Sequence, residues 1–343
     1  MDLIFFNFSE GGNIENERII EVSQININSS NSEKEKCEFH IETLKKIDVV
    51  NNETFFYFEE SRELGGVITE YSKSGDVYKY KGKTFRGMIA ERYIVPDPGY
   101  THRIFPTAQS AINHCLQLVF PNALMDDNSE EKTGEYSYWY TNCFKAMTDA
   151  CGDDLRLEFS IVVVNEAEST LFVTIEDTND LTHILEADTQ ALDVSYTLSE
   201  KDAYNHILAL GGGEMLERQV YEMWLHGAEW LESPHTERLI TYCYNYGSVE
   251  DLEALKRETR VKAKTLVPSN SYEVILKDEA LKNAFSVAKL GDTVSLDGLD
   301  LVVAEIEEDA TAGDMFLQTT FQLGTRTKDV RSKINGDEPL NQN

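Results

Sequence analysis

Positive charge is scarce in this sequence beside negative charge. In 343 residues, 31 Lys and Arg stand against 61 Asp and Glu, a formal charge of −30. A surface so negative repels phosphate, which excludes sequence-reading of nucleic acid and docking on anionic membranes. Long apolar runs are missing too, and nothing approaches the ~18 residues that span a bilayer. The opening Met1-Asp2-Leu3-Ile4-Phe5-Phe6 has no basic lead and stops at Asn7, so a secretory signal is not expected. Cysteine is sparse: Cys37, Cys115, Cys143, Cys151 and Cys243 are odd in number, scattered and free of any CxxC pair. That pattern excludes a disulfide framework or a zinc ribbon and points to reduced, mostly buried thiols made in a cytoplasm. Disorder is not implied, because 41% of the chain is hydrophobic and 10% aromatic.

Residues 1–95 read mainly as strands. Ile19, Ile20 and Val22 lead into the alternating Ile25 and Ile27, a polar loop spans Asn28 to Lys36, and Phe55-Phe56-Tyr57-Phe58 is a short aromatic strand. Gly65-Gly66 breaks the chain before Val67, Ser74-Gly75-Asp76 turns it into Val77-Tyr78-Lys79-Tyr80, and Pro96-Asp97-Pro98-Gly99 is a further turn. The period then changes. Ala108, Ala111, Ile112, Cys115, Leu116 and Val119 fall on one face of a helix capped by Thr107 and stopped by Pro121. An acidic polar loop at 126–135 precedes a second helix from Tyr138 to Cys151, with Gly152 at its C-cap. Leu155 to Val164 and Ser169 to Ile175 form a hairpin.

Strands resume at Val194, and Gly211-Gly212-Gly213 bends the chain between Ile207–Leu210 and Arg218–Tyr221. A helix is expected over 248–266. Ser248 and Asp251 make a capping-box-like start, Leu252, Leu255, Thr259 and Leu266 share a face, and charges follow the helix dipole. Tyr272 to Leu276, Thr293 to Leu296, Leu299 to Ile306 and Phe316 to Leu323 complete the strands, with an Asp297-Gly298 hairpin turn. Residues 325–343 read as a solvent-exposed or partner-docked tail. The acidity is uneven: residues 149–188 hold 11 acids and one Arg, whereas 250–290 hold 7 acids and 8 bases.

Candidate chemistry is thin, and no catalytic, cofactor-binding or metal-binding residue is assigned. Asp153-Asp154, Glu176-Asp177 and Glu307-Glu308-Asp309 would suit a glycan hydrolase if two met in a cleft. All are expected at turns or strand ends, and among 61 acids such pairs arise by chance. His40, His102, His114, His183, His206, His226 and His235 show neither HExxH nor HxxxH spacing. His114-Cys115 lies on an apolar helix face, where a core thiol is the expected role. The glycine triplet lacks the Lys-Ser/Thr of a phosphate loop. Lys79, Lys81 and Lys83 put three cations on one strand face, a pattern that blunts a sheet edge. Trp139, Trp224 and Trp230 are candidate sugar platforms, the last two flanking His226-Gly227 in an expected loop, but buried or interface positions are the ordinary use of tryptophan.

Three pieces in order resemble one family, the tail-tip or baseplate hub proteins of long-tailed bacteriophages. The first is Gly66-Val67-Ile68, a turn, and then 82–96 (GKTFRGMIAERYIVP), similar to the family's "GII…GRDLLGLLxxRII.P" signature. Lys-Thr-Phe-Arg stands here where the family often has Arg-Asp-Leu-Leu. The second is the helix–helix–hairpin block at 107–175. The third is the closing order: the helix at 248–266, a strand at 269–276, Leu290-Gly291-Asp292-Thr293-Val294, and final strands ending at Gly324. The resemblance covers roughly residues 60–324. It implies an α+β, mainly β fold: two tube-like β-barrel domains with an inserted helix-helix-hairpin α/β unit. The implied domains are 1–100, an insertion at 101–192, a second β domain at 193–325 and a tail at 326–343.

The implied role is structural, not enzymatic and without cofactors. A homotrimeric ring at the virion tail tip, assembled in the host cytoplasm, would enclose the DNA channel and serve host attachment and genome ejection. Its implied partners are the tail tube or distal tail protein, tip, spike, fibre or receptor-binding proteins, and the tape measure protein. DNA would pass as non-sticking cargo, and no membrane contact is expected. The hub of a contractile tail or injection device, or a β-rich glycan-binding or glycan-hydrolysing tail enzyme, are the alternatives.

Overall fold

The computed structural model describes residues 1–31, 33–100, 102–165, 168–183, 192–199, 204–213, 218–226, 229–234, 239–247, 251–263, 266, 269–276, 287–296, 299–312 and 318–325. The fold is α+β and mainly β. The chain divides into two compact units, Met1–Ser195 with Glu273–Leu323, and Tyr196–Tyr272 with Gly324–Asn343.

The first unit opens with β1 (Asp2–Phe8), β2 (Ile14–Glu21), β3 (Gln24–Ser30), β4 (Glu38–Thr43), β5 (Thr54–Tyr57), β6 (Gly65–Ser74) and β7 (Val77–Thr84). A short helix α1 (Phe85–Met88), β8 (Tyr93–Ile94), β9 (Arg103–Thr107), helix α2 (Ala108–Val119) and β10 (Leu124–Asp127) follow. Then come β11 (Thr133–Tyr138), β12 (Thr141–Asn142), helix α3 (Cys143–Cys151), β13 (Leu155–Asn165) and β14 (Glu168–Asp177). β15 (Leu192–Ser199) leads away, and after β16–β19 and β20 (Ser269–Leu276) the chain returns as β21 (Thr293–Leu296), β22 (Leu299–Thr311) and β23 (Gln318–Thr325). The principal sheet contains, in order, β23-β22-β3-β4-β7-β6-β5-β1-β2, with β21 paired to β22. No sheet closes into a barrel among the described residues.

Alternation builds this sheet. Ile25 and Ile27 of β3, Phe39 and Ile41 of β4 and Leu3 and Phe5 of β1 are buried in one cluster with Phe56 and Tyr80. On the other side Phe6, Phe55, Phe85 and Phe159 form a chain of rings, with centroids 5.6 Å (Phe6–Phe55), 6.2 Å (Phe55–Phe85) and 6.1 Å (Phe85–Phe159) apart. α2 and α3 cover that side through Ala111, Ile112, Cys115, Leu116, Phe144 and Met147. Burying each of the Leu, Ile, Phe and Met side chains here contributes on the order of 1.5–3 kcal/mol.

Thr107 caps α2 as expected, in a full capping box. Its Oγ1 accepts from Ser110 N at 3.1 Å, and its own N–H donates to Ser110 Oγ at 3.2 Å. Thr107→Ala removes one partner and is expected to lower stability by about 1 kcal/mol, read from the midpoint of a urea titration. An unchanged midpoint would contradict the cap.

Several expectations are corrected. Gly65 and Gly66 do not break the chain; they are the first two residues of β6. A Cβ on Gly66 would sit 2.0 Å from the Lys83 carbonyl oxygen, so glycine permits the close approach of β6 and β7. Lys79, Lys81 and Lys83 do not blunt an edge, because β7 is interior, between β4 and β6. Two of them meet acids, Lys79 with Glu42 at 2.6 Å and Lys83 with Glu91 at 3.0 Å. The 126–135 loop gives part of its length to β10, parallel to β14, and to β11. The helix expected from Tyr138 starts only at Cys143, where Asn142 caps it, because Tyr138 ends β11, Trp139 and Tyr140 form the link, and residues 141–142 make β12. Glu307-Glu308-Asp309 lies within β22, which runs on past the expected end at Ile306 and stops two residues after Asp309.

The second unit has a sheet in the order β18-β17-β16-β19, made of β16 (His206–Leu210), β17 (Val220–His226), β18 (Glu229–Leu231) and β19 (Thr241–Asn245). Helix α4 (Leu252–Ala263) packs on β16 and β17. Ile207, Ala209, Tyr221, Met223, Trp230, Leu255 and Leu266 form its core. Asp251 caps α4, accepting from Ala254 N at 3.1 Å, while Ser248 lies outside the described residues. Thr259 and Leu255 are buried as expected, but Leu252 is exposed. The segment holding Trp224 and Trp230 is a strand pair, β17–β18, rather than a loop. The glycine triplet opens the β16–β17 connection, closed by Gly211 N to Gln219 O at 2.9 Å. The Asp297-Gly298 turn and nearly all of the tail lie outside the described residues.

Candidate functional site: buried ion pairs of the first unit

The most concentrated polar chemistry of the first unit lies under its sheet. α1 follows β7 directly, with Thr84 Oγ1 accepting from Gly87 N at 3.2 Å. That turn drives Arg86 inward. Its Nε donates to both oxygens of Glu63, at 3.0 and 3.3 Å, and Nη2 donates to Leu157 O at 2.9 Å. The two side chains are only 4% and 3% exposed. Burial pushes the Glu63 carboxyl upward against the pull of Arg86.

A second pair is built on β22. Glu308 is 1% exposed and accepts from Arg62 Nη1 at 3.0 Å, Arg62 N at 3.0 Å and Ser61 Oγ at 2.5 Å. Burial raises its carboxyl, with Ser61 and Arg62 opposing. The third centre is Arg156 on β13. It pairs with Asp292 through Nη1, with Glu176 through Nη2 at 3.0 Å, and with Glu158 through Nε at 2.8 Å. Asp292 is fully buried and also accepts from Asn179 N at 2.7 Å and Lys289 N at 2.9 Å. Gly291 before it stands at φ +88°, a conformation that favours glycine. Lys289 Nζ closes the set on Glu158 at 2.6 Å.

Beside these pairs an open cleft of about 660 Å³ is lined by Tyr57, Arg62, Glu158, Phe159 and Lys289 among others. An apolar pocket of about 140 Å³ lies between Phe8, Phe55, Met88, Phe120 and Leu171. Glu158, the cleft carboxylate nearest the ion pairs, is held by two cations. These arrangements suit the locking of strands to one another rather than proton transfer to a substrate.

Four of the candidate acids are engaged structurally through their carboxylates. Glu176 serves Arg156, Glu308 serves Arg62, and Asp177 accepts from Glu130 N at 2.9 Å and pairs with Lys132 at 3.2 Å. Glu307 takes Asn26 Nδ2 at 2.7 Å. No carboxylates of these pairs converge in the open cleft. His40 meets Glu42 at 3.0 Å, His206 stacks on Trp224, His226 lies 2.8 Å from Ser233 O, and His235 lies outside the described residues. Among the described residues no three His, Cys, Asp or Glu come together as a metal site. All five cysteines are free, with Cys37, Cys115 and Cys143 buried. Cys115 is hydrogen-bonded to Cys143, which with burial pushes its thiol far upward, and burial pushes Cys37 up to about 12. Trp230 is buried, Trp224 half-buried and Trp139 exposed.

Sequence reasoning did not single out the ion pairs, although their members were in view. Arg86 sits in the GKTFRGM stretch, Asp292 in the LGDTV stretch, and Arg156 is the one base among the acids of 149–188. Stretches that carry the family resemblance thus supply members of two of the three buried centres.

No family model matches the chain, and no curated protein matches it in sequence. Solved structures do. The 43 kDa tail protein of prophage MuSo2 from Shewanella oneidensis superposes with a TM-score of 0.55 at 10% identity, covering 96% of this chain and 100% of that one. The chain has the fold of a phage tail protein. A tail protein from Neisseria meningitidis MC58 is similar, with a TM-score of 0.52 at 11% identity over 96% of this chain and 99% of that one. The tail-protein fold therefore runs through both units rather than being confined to one.

Proposed function

We propose that the chain is a structural component of a phage tail, the hub of the tail tip or baseplate. Three copies form a ring that adapts the six-fold tail tube or distal tail protein to a three-fold tip and encloses the DNA channel. Each copy contributes two tube-like β domains to that ring. The observation that carries this reading is the end-to-end likeness to the MuSo2 tail protein, which leaves almost no part of either chain outside the match. The buried ion pairs agree with it, since they lock strands far apart in sequence. The protein has no catalytic role in this reading. It assembles in the host cytoplasm, where free thiols persist, and meets tail tube, tip or spike, fibre and tape measure proteins in the virion.

Part of the −30 charge lines the channel, where repulsion keeps DNA from adhering during passage. An uncharged or basic lumen in the assembled ring would contradict that part. The test of assembly is mass in solution. Sedimentation is expected to give a species of three 39.0 kDa chains, alone or on mixing with the tail tube protein. A chain that stays monomeric in both conditions would contradict the hub.

A further inference from the structure

Two short ribbons of the first unit hold an aromatic surface that the fold does not cover. β8 pairs with β12, Tyr93 opposite Asn142 and Ile94 opposite Thr141. β9 pairs with β11, Ile104 opposite Ser137 and Arg103 opposite Tyr138. Trp139 and Tyr140 link β11 to β12, their rings edge to face at 5.7 Å. Alternate side chains of the ribbons, Ile94, Phe105 and Tyr138, turn into the core. The others turn out: Tyr93, Val95, Ile104, Trp139 and Tyr140 are 51–63% exposed, and Tyr100 in the turn before β9 is 74% exposed. At ~200 Å² per aromatic side chain, the four exposed rings alone offer about 500 Å². That is the size of a functional patch on a soluble protein, and most of one side of a standard interface.

The backbone accepts strain to display these rings. Tyr140 stands at φ +43°, a left-handed conformation that costs a residue with a Cβ roughly 1–2 kcal/mol. Charge distinguishes the surface further. Residues 91–105 and 133–145 hold three acids (Glu91, Asp97, Glu135) and three bases (Arg92, Arg103, Lys145), a net of zero in a chain of −30. Glu91 and Asp97 are already paired, with Lys83 at 3.0 Å and Arg103 at 3.1 Å, while Arg92 and Lys145 are exposed. Two copies of so acidic a chain repel over most of their surface. They meet at least cost where acids are balanced and apolar area is free.

We infer that this Trp139 surface is where a second copy of the chain docks, the aromatic patch of one copy taking the acidic surface of the next. This rests on the trimeric reading above. A patch that meets a different surface on its neighbour is a head-to-tail contact, the kind that closes a ring of three. Trp and Tyr are also among the residues that most often anchor such contacts.

The test is sedimentation of Trp139→Asp beside wild type and a control, Leu44→Asp, which changes an exposed apolar residue after β4 (68% exposed) beside Lys45 and Lys46, away from the patch and from the acidic 149–188 segment. Trp139→Asp is expected to weaken self-association at least 10-fold with an unchanged thermal midpoint, and the control to assemble as wild type. Hydroxyl-radical footprinting of wild type, which needs no variant, is expected to show Tyr100, Trp139 and Tyr140 protected in the assembled species and reactive on dilution. A wild-type trimer whose Trp139 stays reactive, or a Trp139→Asp variant that assembles normally, overturns this inference and leaves the hub standing. A wild type that never assembles overturns both.

Discussion

Arg86→Met is expected to destabilise the first unit by about 3–5 kcal/mol, the cost of leaving one partner of a buried ion pair behind. The residue left is Glu63, 3% exposed, whose two oxygens both take Arg86 Nε, and whose burial already presses its carboxyl toward the neutral form. Methionine keeps the volume and loses all the donors, including the one to Leu157 O at 2.9 Å. A domain's whole stability is only on the order of 5–15 kcal/mol, so the variant should be largely unfolded at modest urea. Glu63→Gln combined with Arg86→Met removes both charges and is expected to recover a substantial part of the loss, because the unpaired charge is the larger share of the penalty. Arg86→Lys should not rescue, since an ammonium cannot reach Glu63, Leu157 and Asn31 with one planar fork. An Arg86→Met midpoint within the error of wild type would show that the pair is not closed in solution.

Asp292→Ala is expected to cost a similar amount, about 3–5 kcal/mol. Asp292 is fully buried and organises three donors at once: Arg156, Asn179 N and Lys289 N. Alanine leaves two backbone N–H groups without their acceptor and Arg156 with one carboxylate fewer. Asp292→Asn keeps an acceptor oxygen and should be the milder change. In a unit of this size each kcal/mol moves the thermal midpoint by about 2–4 °C, so the alanine variant should melt on the order of 10 °C lower. Equal midpoints for Asp292→Ala and Asp292→Asn would contradict the role of the acceptor.

Both predictions concern residues whose local sequence was conspicuous while their partners were not. The capped helix α2 was legible because cap, period and stop all lie within 107–121. The Gly75-Asp76 turn was legible because β6 and β7 pair with immediate neighbours, Ser74 opposite Val77. What was not legible is pairing at a distance. β22 joins β3 with Glu308 opposite Ile27, and nothing near either residue announces the other. The same blindness put Lys79, Lys81 and Lys83 on an edge, because the flanking strand β4 lies some forty residues upstream. It also ended β22 at Ile306, whereas the strand runs to Thr311 and its alternation turns Glu308 inward to Arg62. Tyr138 and Tyr140 fit a helical period by spacing alone, yet Tyr138 pairs across a ribbon and gives its hydroxyl to Ala146 O at 2.9 Å. Of the candidate docking surface, Trp139 was visible as one of three tryptophans. Its company with Tyr93, Tyr100 and Ile104 needed the two ribbons to be built.

The −30 charge gains a partner from the structure: a neutral aromatic surface on a chain that otherwise repels its own copies. In the proposed hub such copies close into a ring. Averaged negative-stain images of the purified protein, alone and with tail tube protein, would show it. Rings with three-fold symmetry and an open centre are expected. Isolated single particles, or open filaments without a closed ring, would contradict it.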